Sequence, residues 1–367
     1  MKNAPGFALS QAVHLLPPKK GNARNSEGDF ARLKDGRILF AYSRYNSDSS
    51  HDDATCDVAG LFSDDNGLHF SEDPVILVPA SAHNTLNLMS VSLLRLQSGK
   101  LALFYLCKVG AFSEGYMRIA NEEETAFGEA IKCFPLQDEC YYVINNARVV
   151  QMSDGRLLIP AARHRVIKHE DGSMHGEYFA DCRVYGSDDE GKTWQDLSGL
   201  IKMPNPGYSE TGLQEPGLIE LPDGRLYQYF RTDRMFQFES FSSDRGATWS
   251  TPIPSRFTAP ESPMLIRRNP YSGKYYAFWN PVPLYNGRLD PQTKWIHAGR
   301  NPFVMAVSEN GLDFSEYTVI ENEPEHGYCY PAVYFLGEKE MLLSYCSGGP
   351  EDDMCLTKTT IRRIILE

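Results

Sequence analysis

Two residues far apart in the chain have the types needed for nucleophilic chemistry that is coupled to proton transfer. Glu215 lies in the stretch Gln-Glu-Pro-Gly, and Tyr330 lies in Gly-Tyr-Cys-Tyr-Pro. A carboxylate beside a phenol can draw off the phenolic proton and make the oxygen nucleophilic. Asp52 and Asp53, in a polar stretch expected to be a mobile loop, offer a proton donor. Glycoside hydrolysis needs such a donor and a group that attacks or stabilises the anomeric carbon.

Arginine side chains offer the substrate-binding part of such a site. The planar fork of an arginine suits the carboxylate of an acidic sugar. The candidates stand at the ends of apolar, strand-like runs or just before one: Arg44, Arg163, Arg231 and Arg300. Whether these residues meet depends on the elements that carry them.

A unit of two apolar strands joined by a tight turn recurs along the chain. Asp-Gly between alternating apolar runs is a strong hairpin signal. The turns are predicted at Asp35, Ser98, Asp154, Asp223, Ser272 and Gly337. Their spacing is a loose period of roughly sixty residues, which indicates a repeat architecture.

A second repeat follows these hairpins and has the pattern Ser-x-Asp-x-Gly-x-Thr-Trp. Residues 187–194 carry it in full, residues 242–249 and 63–70 are good copies, and residues 308–314 are a worn one. The Asp carboxylate can accept backbone N–H bonds within a turn, and the Gly can adopt a positive φ. The aromatic residue is then free to fill the gap between neighbouring sheets. We interpret these octets as scaffold.

Together the two repeats predict an all-β fold, a six-bladed β-propeller. A complete unit supplies an inner hairpin, a third strand, the octet and an outer strand, which is one four-stranded blade; the second unit has no readable octet. The units fill nearly the whole chain, so we expect residues 1–367 to form one domain. The last unit lacks an outer strand, and residues 11–16 are expected to supply it and close the ring.

The strand directions separate the two faces of such a ring. The starts of the first strands and the ends of the second strands lie on one face, and the turns and octets lie on the other. The starts are Glu27, Ser90, Asn146, Glu215 and Tyr330, with Glu261 or Ser262 in the less regular fifth unit. With the four arginines and the Asp52–Asp53 pair, they are expected to surround one central pocket. The alternative is that the mouth of the ring is polar only because it is wet.

The octets resemble the Asp-box (BNR) repeat of the sialidase superfamily, a family of six-bladed β-propellers. The segment with Glu215 and Arg231 is similar to the family stretch that carries the nucleophile-activating Glu and the second carboxylate-binding Arg. Arg300 resembles the third such Arg. Tyr330 matches the nucleophilic Tyr, with Tyr328 as the alternative, and Asp52 and Asp53 occupy the region of the acid/base Asp. The resemblance implies a retaining exo-glycosidase that needs no metal or organic cofactor.

One position departs from the family pattern. Glu27 stands where the family has the first arginine around the substrate carboxylate, and it would repel a carboxylate unless Arg24 or Arg44 matches its charge. This predicts a sialidase-like enzyme for terminal, possibly acidic, sugars of a glycan. A non-catalytic carbohydrate-binding propeller is the alternative. A third reading is a glycosidase with two carboxylates, in which Glu27 replaces Tyr330 opposite the acid.

Composition narrows the choice of partners. The formal net charge of -12 argues against nucleic acid and anionic membrane surfaces. No apolar run approaches a membrane span, and no secretory leader is seen. The 8 cysteines are scattered singly, so we expect free thiols and a cytoplasmic protein, with a secreted protein that has lost its leader as the alternative. His164, His169 and His175 are expected in a polar loop, where one could contact a sugar. Trp279, Tyr285 and Trp295 could stack on sugars or pack on another subunit.

Overall fold

The computed structural model of the protein describes residues 3–134, 140–281 and 299–367. Over these residues the regular structure is almost entirely β, with short 3-10 helices at Ala80–His83, Pro206–Tyr208 and Pro350–Asp352. None of the helices in the described ranges is long and apolar enough to cross a membrane. Tyr285 and Trp295 lie outside the described residues, and Trp279 is buried in the apolar core.

The first strand in the chain belongs to the last blade, and the next strands form blades one and two. That first strand is β1 (Phe7–Leu16). Blade one contains β2 (Arg24–Arg32), β3 (Ile38–Tyr45), β4 (Cys56–Ser63) and β5 (Val75–Val78). Blade two contains β6 (Asn87–Arg95), β7 (Leu101–Val109), β8 (Phe112–Ile119) and β9 (Ile131–Lys132). In backbone pairing the two sheets are joined by a parallel pair, Cys56 with Asn87.

The third blade has an interrupted innermost strand, and the fourth is regular. Blade three contains β10 (Cys140–Val143), β11 (Val150–Gln151), β12 (Leu157–Lys168), β13 (Met174–Ser187) and β14 (Gln195–Asp196). Both β10 and β11 pair with β12, so they are two halves of one inner strand. Blade four contains β15 (Gln214–Glu220), β16 (Leu226–Arg231), β17 (Phe236–Ser242) and β18 (Ile253–Thr258).

The last two blades complete the ring. Blade five contains β19 (Leu265–Arg268), β20 (Tyr275–Trp279), β21 (Phe303–Ser308) and β22 (Thr318–Glu321). Blade six contains β23 (Cys329–Phe335), β24 (Glu340–Cys346) and β25 (Thr359–Leu366). Strand β1 pairs antiparallel with β25, from Phe7 opposite Leu366 to Leu16 opposite Thr359, as the outer strand of this blade.

The core is divided among the gaps between blades. Consecutive blades share an apolar cluster at each of the interfaces from blade one to blade six. A further cluster joins blade six back to blade one, through Phe30, Phe40, Leu342 and Ile361. The protein is therefore the six-bladed β-propeller that the repeats predict.

The octets fill these gaps in the way that their composition indicates. The Asp189 carboxylate accepts bonds from the Thr193 backbone N–H at 2.9 Å and the Ser187 hydroxyl at 2.8 Å. Gly191 has a φ of 86°, and the place of a Cβ there is 2.5 Å from Sδ of Met117 in blade two. A larger residue would therefore be strained by this φ and would have to push the end of the Met117 side chain aside. Trp194 meets Phe104 of blade two edge-on at 6.3 Å between ring centroids.

The octets and the inner hairpin turns lie on the same face of the ring. Arg156, beside the turn of blade three, donates to Asp188 of its octet at 2.7 Å. Arg245 of the next octet donates to Asp154 in that turn at 2.5 Å. These contacts hold the face opposite the candidate site, as the strand directions predict.

Candidate active site

A cavity of about 690 Å³ opens where the blades converge. This volume is in the usual range for a small-molecule site. Every blade contributes to the wall, and representative lining residues, in blade order, are Glu27, Ser90, His164, Glu215, Arg300 and Tyr330. The cavity therefore lies at the common centre of the ring, where residues distant in sequence meet.

The innermost strands of four blades place their cavity residues at backbone bulges. Glu27, Ser90, Glu215 and Tyr330 have positive φ angles of 57°, 61°, 42° and 53°. At each of them the pairing with the next strand shifts register. A bulge redirects a side chain out of the normal alternation. Positive φ is costly for residues other than glycine and concentrates at functional sites.

The two residues that suggested nucleophilic chemistry are in direct contact. The Tyr330 hydroxyl donates to Oε1 of Glu215 at 2.8 Å. Nη1 of Arg231 lies 2.8 Å from the same oxygen. The guanidinium carbon of Arg300 lies 5.5 Å from the centroid of the Tyr330 ring. Glu215, Tyr330, Arg231 and Arg300 thus form one cluster in the cavity wall.

The surrounding charges set the protonation states of this pair. Burial alone would raise the pKa of Glu215, but the charges of Arg231 and Arg300 and the bonds from Arg231 and Tyr330 hold it below its ordinary value. Burial, followed by the Glu215 charge, raises the pKa of Tyr330 well above that of a free phenol. At neutral pH Glu215 is therefore an ionised acceptor and Tyr330 a neutral donor.

A second cluster joins Glu27 to the loop that follows β3. Arg24 is almost fully buried and lies 3.1 Å from Oε1 of Glu27 and 2.5 Å from Oδ1 of Asp52. The Ser90 hydroxyl donates to Oε2 of Glu27 at 2.9 Å. The Arg24 guanidinium also stacks 4.6 Å from the Tyr45 ring centroid. Arg24 thus pairs with Glu27, one of the two possibilities that the sequence left open, but it pairs with Asp52 as well, so its single charge does not offset both carboxylates.

Burial and charge act in opposite senses on the two carboxyl groups that Arg24 bridges. Burial, the largest influence, raises the pKa of Glu27 despite the neighbouring Arg24. For Asp52 partial desolvation in the cavity wall also acts upward, but the charge and hydrogen bond of Arg24 prevail and lower its pKa. Asp53 lines the same cavity and forms an ion pair with Lys108. The structure therefore brings both members of the Asp52–Asp53 pair to the site.

Asn146 was predicted to line the cavity, but its neighbour Asn145 lines it instead. In the interrupted inner strand of blade three, Ala147 has the positive φ, at 53°. The Asn146 amide instead donates to the Gly28 carbonyl at 2.8 Å and the Tyr330 carbonyl at 3.3 Å. It links three blades beneath the site, and Asn145 lines the cavity.

Arg44 and Arg163 are also absent from the cavity wall, because side chains alternate along a strand. Arg24 stacks on Tyr45, its cross-strand partner, so both project from one face and Arg44 projects from the other. In β12, His164 is among the lining residues and its neighbour Arg163, which alternation assigns to the other face of the strand, is not. Each arginine is therefore one residue out of phase with the site.

Tyr328, the alternative to Tyr330, belongs to the core between blades five and six. Its side chain is 2% exposed and packs with Tyr345 at 6.1 Å between ring centroids. Of the fifth-blade candidates, Glu261 accepts a bond from Arg231 at 2.8 Å, whereas buried Ser262 donates to Asn280 at 2.6 Å. Neither residue is among those that line the cavity.

Several lining residues were not singled out from the sequence as site residues. They are Arg24, Lys108, Tyr141, Glu177 and Tyr178. Of the three histidines among which a sugar contact was expected, His164 and His175 line the cavity, and they lie in β12 and β13 rather than in a loop. Nδ1 of His164 lies 2.9 Å from the backbone carbonyl oxygen of Glu177. Burial lowers the pKa of the His164 imidazole, so this side chain is a neutral polar group of the cavity wall. Alternation of side chains along a strand is the one signal that could have placed His164 in the cavity, because His164 and its neighbour Arg163 lie on opposite faces of β12. Among the described residues, no group of three His, Cys, Asp or Glu side chains could hold a metal ion.

A family profile described as BNR repeat-like domain matches residues 140–340, more than half of the chain. The chain belongs to this family, within the sialidase superfamily. A curated relative, the anhydrosialidase of Macrobdella decora, is 23% identical over 248 residues, which cover 64% of this chain and 30% of the relative. The BNR-repeat chain thus matches under a third of that relative's length.

Solved structures share the fold of this BNR-repeat protein. A protein of unknown function from Dyadobacter fermentans has a TM-score of 0.72 at 15% identity, covering 97% of this chain and 99% of its own. The Trypanosoma rangeli sialidase in complex with sialic acid has 0.68 at 14%, covering 99% and 60%. A leech intramolecular trans-sialidase with 2,7-anhydro-Neu5Ac has 0.66 at 12%, covering 98% and 70%. At these identities the likeness establishes the propeller.

Proposed function

We propose that this BNR-repeat protein is a retaining exo-glycosidase that removes a terminal sugar from a glycan, with Tyr330 as nucleophile. The observation that carries the proposal is the 2.8 Å bond from the Tyr330 hydroxyl to an ionised, buried Glu215. A tyrosine with an adjacent carboxylate is an activated nucleophile. The sialidases among its structural neighbours, one with bound sialic acid, support a sugar as the ligand.

In the first step the Tyr330 oxygen attacks the anomeric carbon. Its proton passes to Oε1 of Glu215 as the bond from the phenolic oxygen to the sugar forms. The glycosidic C–O bond breaks, and Asp52 or Asp53 gives a proton to the departing oxygen. The Arg231 and Arg300 charges beside Glu215 and Tyr330 stabilise the negative charge that is shared between them.

In the second step water replaces the tyrosine. The same aspartate removes a proton from water, whose oxygen bonds to the anomeric carbon as the bond to Tyr330 breaks. Glu215 then returns its proton to the phenolic oxygen. Two displacements at one carbon retain its configuration.

The exposed side of the cavity suits an acid/base residue that must meet water. The Asp52 side chain is 59% exposed and that of Asp53 is 64% exposed, whereas Glu27 and Glu215 are buried. The two aspartates can be separated with aryl glycosides of different leaving groups. Replacing the true acid with Asn should slow cleavage of a poor leaving group far more than that of an activated one.

The function is tested by replacing the proposed nucleophile and its activator. Tyr330→Phe should lower kcat/KM on any accepted glycoside by roughly 10³-fold or more, and Glu215→Gln by about 10²- to 10⁴-fold. Tyr328→Phe is the matched control, because that phenol lies in the core. Unaltered turnover by Tyr330→Phe would refute the assignment. Tight glycan binding by the unaltered protein without turnover would instead indicate a carbohydrate-binding propeller.

A further inference from the structure

We infer that the sugar accepted at this site is uncharged, and that Glu27 is the residue that excludes carboxylated sugars. The inference rests on the glycosidase function proposed above and specifies its substrate class. It comes from the charges that line the cavity and from the partners that those charges already have.

The cavity wall carries no excess of positive charge. Its cationic side chains are Arg24, Lys108, Arg231 and Arg300. Its carboxylates are Glu27, Asp52, Asp53, Glu177 and Glu215. A site that recognises an anion normally presents a surplus of the opposite sign, which attracts the ligand and suppresses others.

The cations nearest the candidate acid are already engaged by carboxylates of the protein. Arg24 bridges Glu27 and Asp52 at 3.1 and 2.5 Å. Lys108 forms an ion pair with Asp53. A sugar carboxylate would have to displace these internal partners, and each displaced carboxylate would then lose its counter-charge.

The two arginines on the other side of the cavity serve the Tyr330–Glu215 pair. Arg231 is held between Glu215 and Glu261, at 2.8 Å from an oxygen of each. Arg300 donates to the sulfur of Cys329 at 3.2 Å and lies over the Tyr330 ring. Of the four cationic side chains of the wall, Arg300 is the one that has no carboxylate of the described residues within 4.0 Å. The four cationic side chains of the wall therefore face five carboxylates, and the wall has no surplus of positive charge.

Glu27 is the residue that disfavours a carboxylated sugar, because of its position in the cavity wall. Its side chain is 6% exposed, lines the cavity and has one oxygen bonded to Arg24 and the other to Ser90. A second carboxylate placed beside it would be a like charge with little water to screen it, which is strongly unfavourable. Sugar hydroxyl groups would instead donate to the carboxylates and accept from the arginines. The wall thus suits a ligand with many hydroxyls and no charge.

The inference is tested with p-nitrophenyl glycosides of neutral hexoses, deoxyhexoses and pentoses, in both anomeric forms, beside those of hexuronic acids and sialic acid. The unaltered protein should turn over a neutral glycoside with kcat/KM at least about tenfold above every carboxylated one. Glu27→Gln keeps the shape and removes the charge. It should lower the ratio of neutral to carboxylated kcat/KM by roughly tenfold or more. The exposed Glu123→Gln removes the same charge far from the cavity and should leave this ratio within about twofold.

Two further measurements test the charge of the accepted sugar independently of catalysis. Thermal unfolding shows that Glu27→Gln is folded, and calorimetry measures binding of neutral free sugars, glucuronic acid and sialic acid. If no glycoside is hydrolysed, the glycosidase proposal fails, and calorimetry still tests the charge inference. Binding of a neutral sugar, with carboxylated sugars gaining affinity only in Glu27→Gln, supports it. Preference of the unaltered protein for a carboxylated sugar, an unchanged ratio in Glu27→Gln, or binding of neither class overturns it.

Discussion

At the scale of single residues, the site is built from groups whose charges control one another. Oε1 of Glu215 receives both the Tyr330 hydroxyl and Arg231 at 2.8 Å. Its other oxygen is buried with no hydrogen-bond partner among the described residues. An unsatisfied buried oxygen is costly and is typical of a functional position. Glu215 is therefore poised to receive a proton, and its pKa should govern the acid side of the pH profile.

Arg231→Met should move the acidic limb of the kcat/KM profile to higher pH. Glu215 must be ionised to accept the phenolic proton, and Arg231 is the strongest of the influences that lower its pKa against burial. Without that charge, Glu215 takes up a proton at a higher pH, so activity is lost earlier on acidification. The position of the limb is the measurement, because the variant also loses absolute rate. A limb that stays in place or moves to lower pH would contradict the assigned role of Arg231.

The sequence predicted the chemistry of single residues better than their direction. Glu215, Tyr330, Asp52 and Asp53 line one cavity as expected. The errors were of one residue, since alternation along a strand turns Arg163 away and His164 inward. Positive φ breaks that alternation, and nothing in the sequence marked the positive φ at Ala147 rather than at its neighbour. Arg24 could not be ranked above Arg44 without knowing which strand face each occupies.

At the scale of elements, buried polar side chains connect one blade to the next. Asp29 in β2 accepts bonds from its neighbour Phe30 at 2.8 Å and from the Leu93 backbone N–H of blade two at 2.9 Å. Asn146 makes similar links from blade three to blades one and six. Glu124 is buried and forms an ion pair with Arg95. Such contacts fix the blades around the cavity. The repeated pattern of apolar residues does not predict them.

Asp29 should make the protein less stable as the pH rises from about 4 to about 6. Burial, the largest cause, raises the pKa of Asp29 to about 6, above its usual 3.8. The folded state therefore binds this proton more tightly than the unfolded state, so its stabilising effect is complete below pH 4 and disappears as the pH passes 6. The difference in unfolding free energy is roughly 3 kcal/mol.

Urea denaturation of the unaltered protein and of Asp29→Asn between pH 4 and 7 measures this effect. The Asn side chain does not titrate, so the stability difference between the two proteins should change by up to about 3 kcal/mol across the interval. Parallel stability curves would mean that Asp29 does not carry a raised pKa in the folded protein.

At the scale of the whole molecule, the ring brings distant segments to one centre. The six inner hairpins and the octets were predictable because alternating apolar strands, turn residues and octets recur along the sequence. The cluster that packs Phe30 and Phe40 against Leu342 and Ile361 joins the first blade to the last. The site depends on this closure, since Glu27 and Tyr330 come from those two blades.

Removing residues 1–16 should open the ring and destabilise the protein by at least about 3 kcal/mol. The deletion takes away β1 and its backbone bonds to β25, each of which contributes roughly 0.5–1.5 kcal/mol. The exposed edge of β25 should also promote association. A deletion of residues 1–4, which leaves β1 intact, is the control. Equal urea midpoints for the two deletions would show that β1 is dispensable for closure.

The central claim is that Tyr330 becomes covalently linked to the sugar. Peptide mass spectrometry of the protein treated with a fluorinated glycosyl fluoride of its best substrate sugar tests this most directly, because the fluorine slows release of a covalent intermediate. We predict one added sugar on the peptide that contains Tyr330, which is lost in Tyr330→Phe. A sugar on the peptide of Glu27 or Glu215, or hydrolysis of the reagent with no adduct and with inversion, would contradict the account.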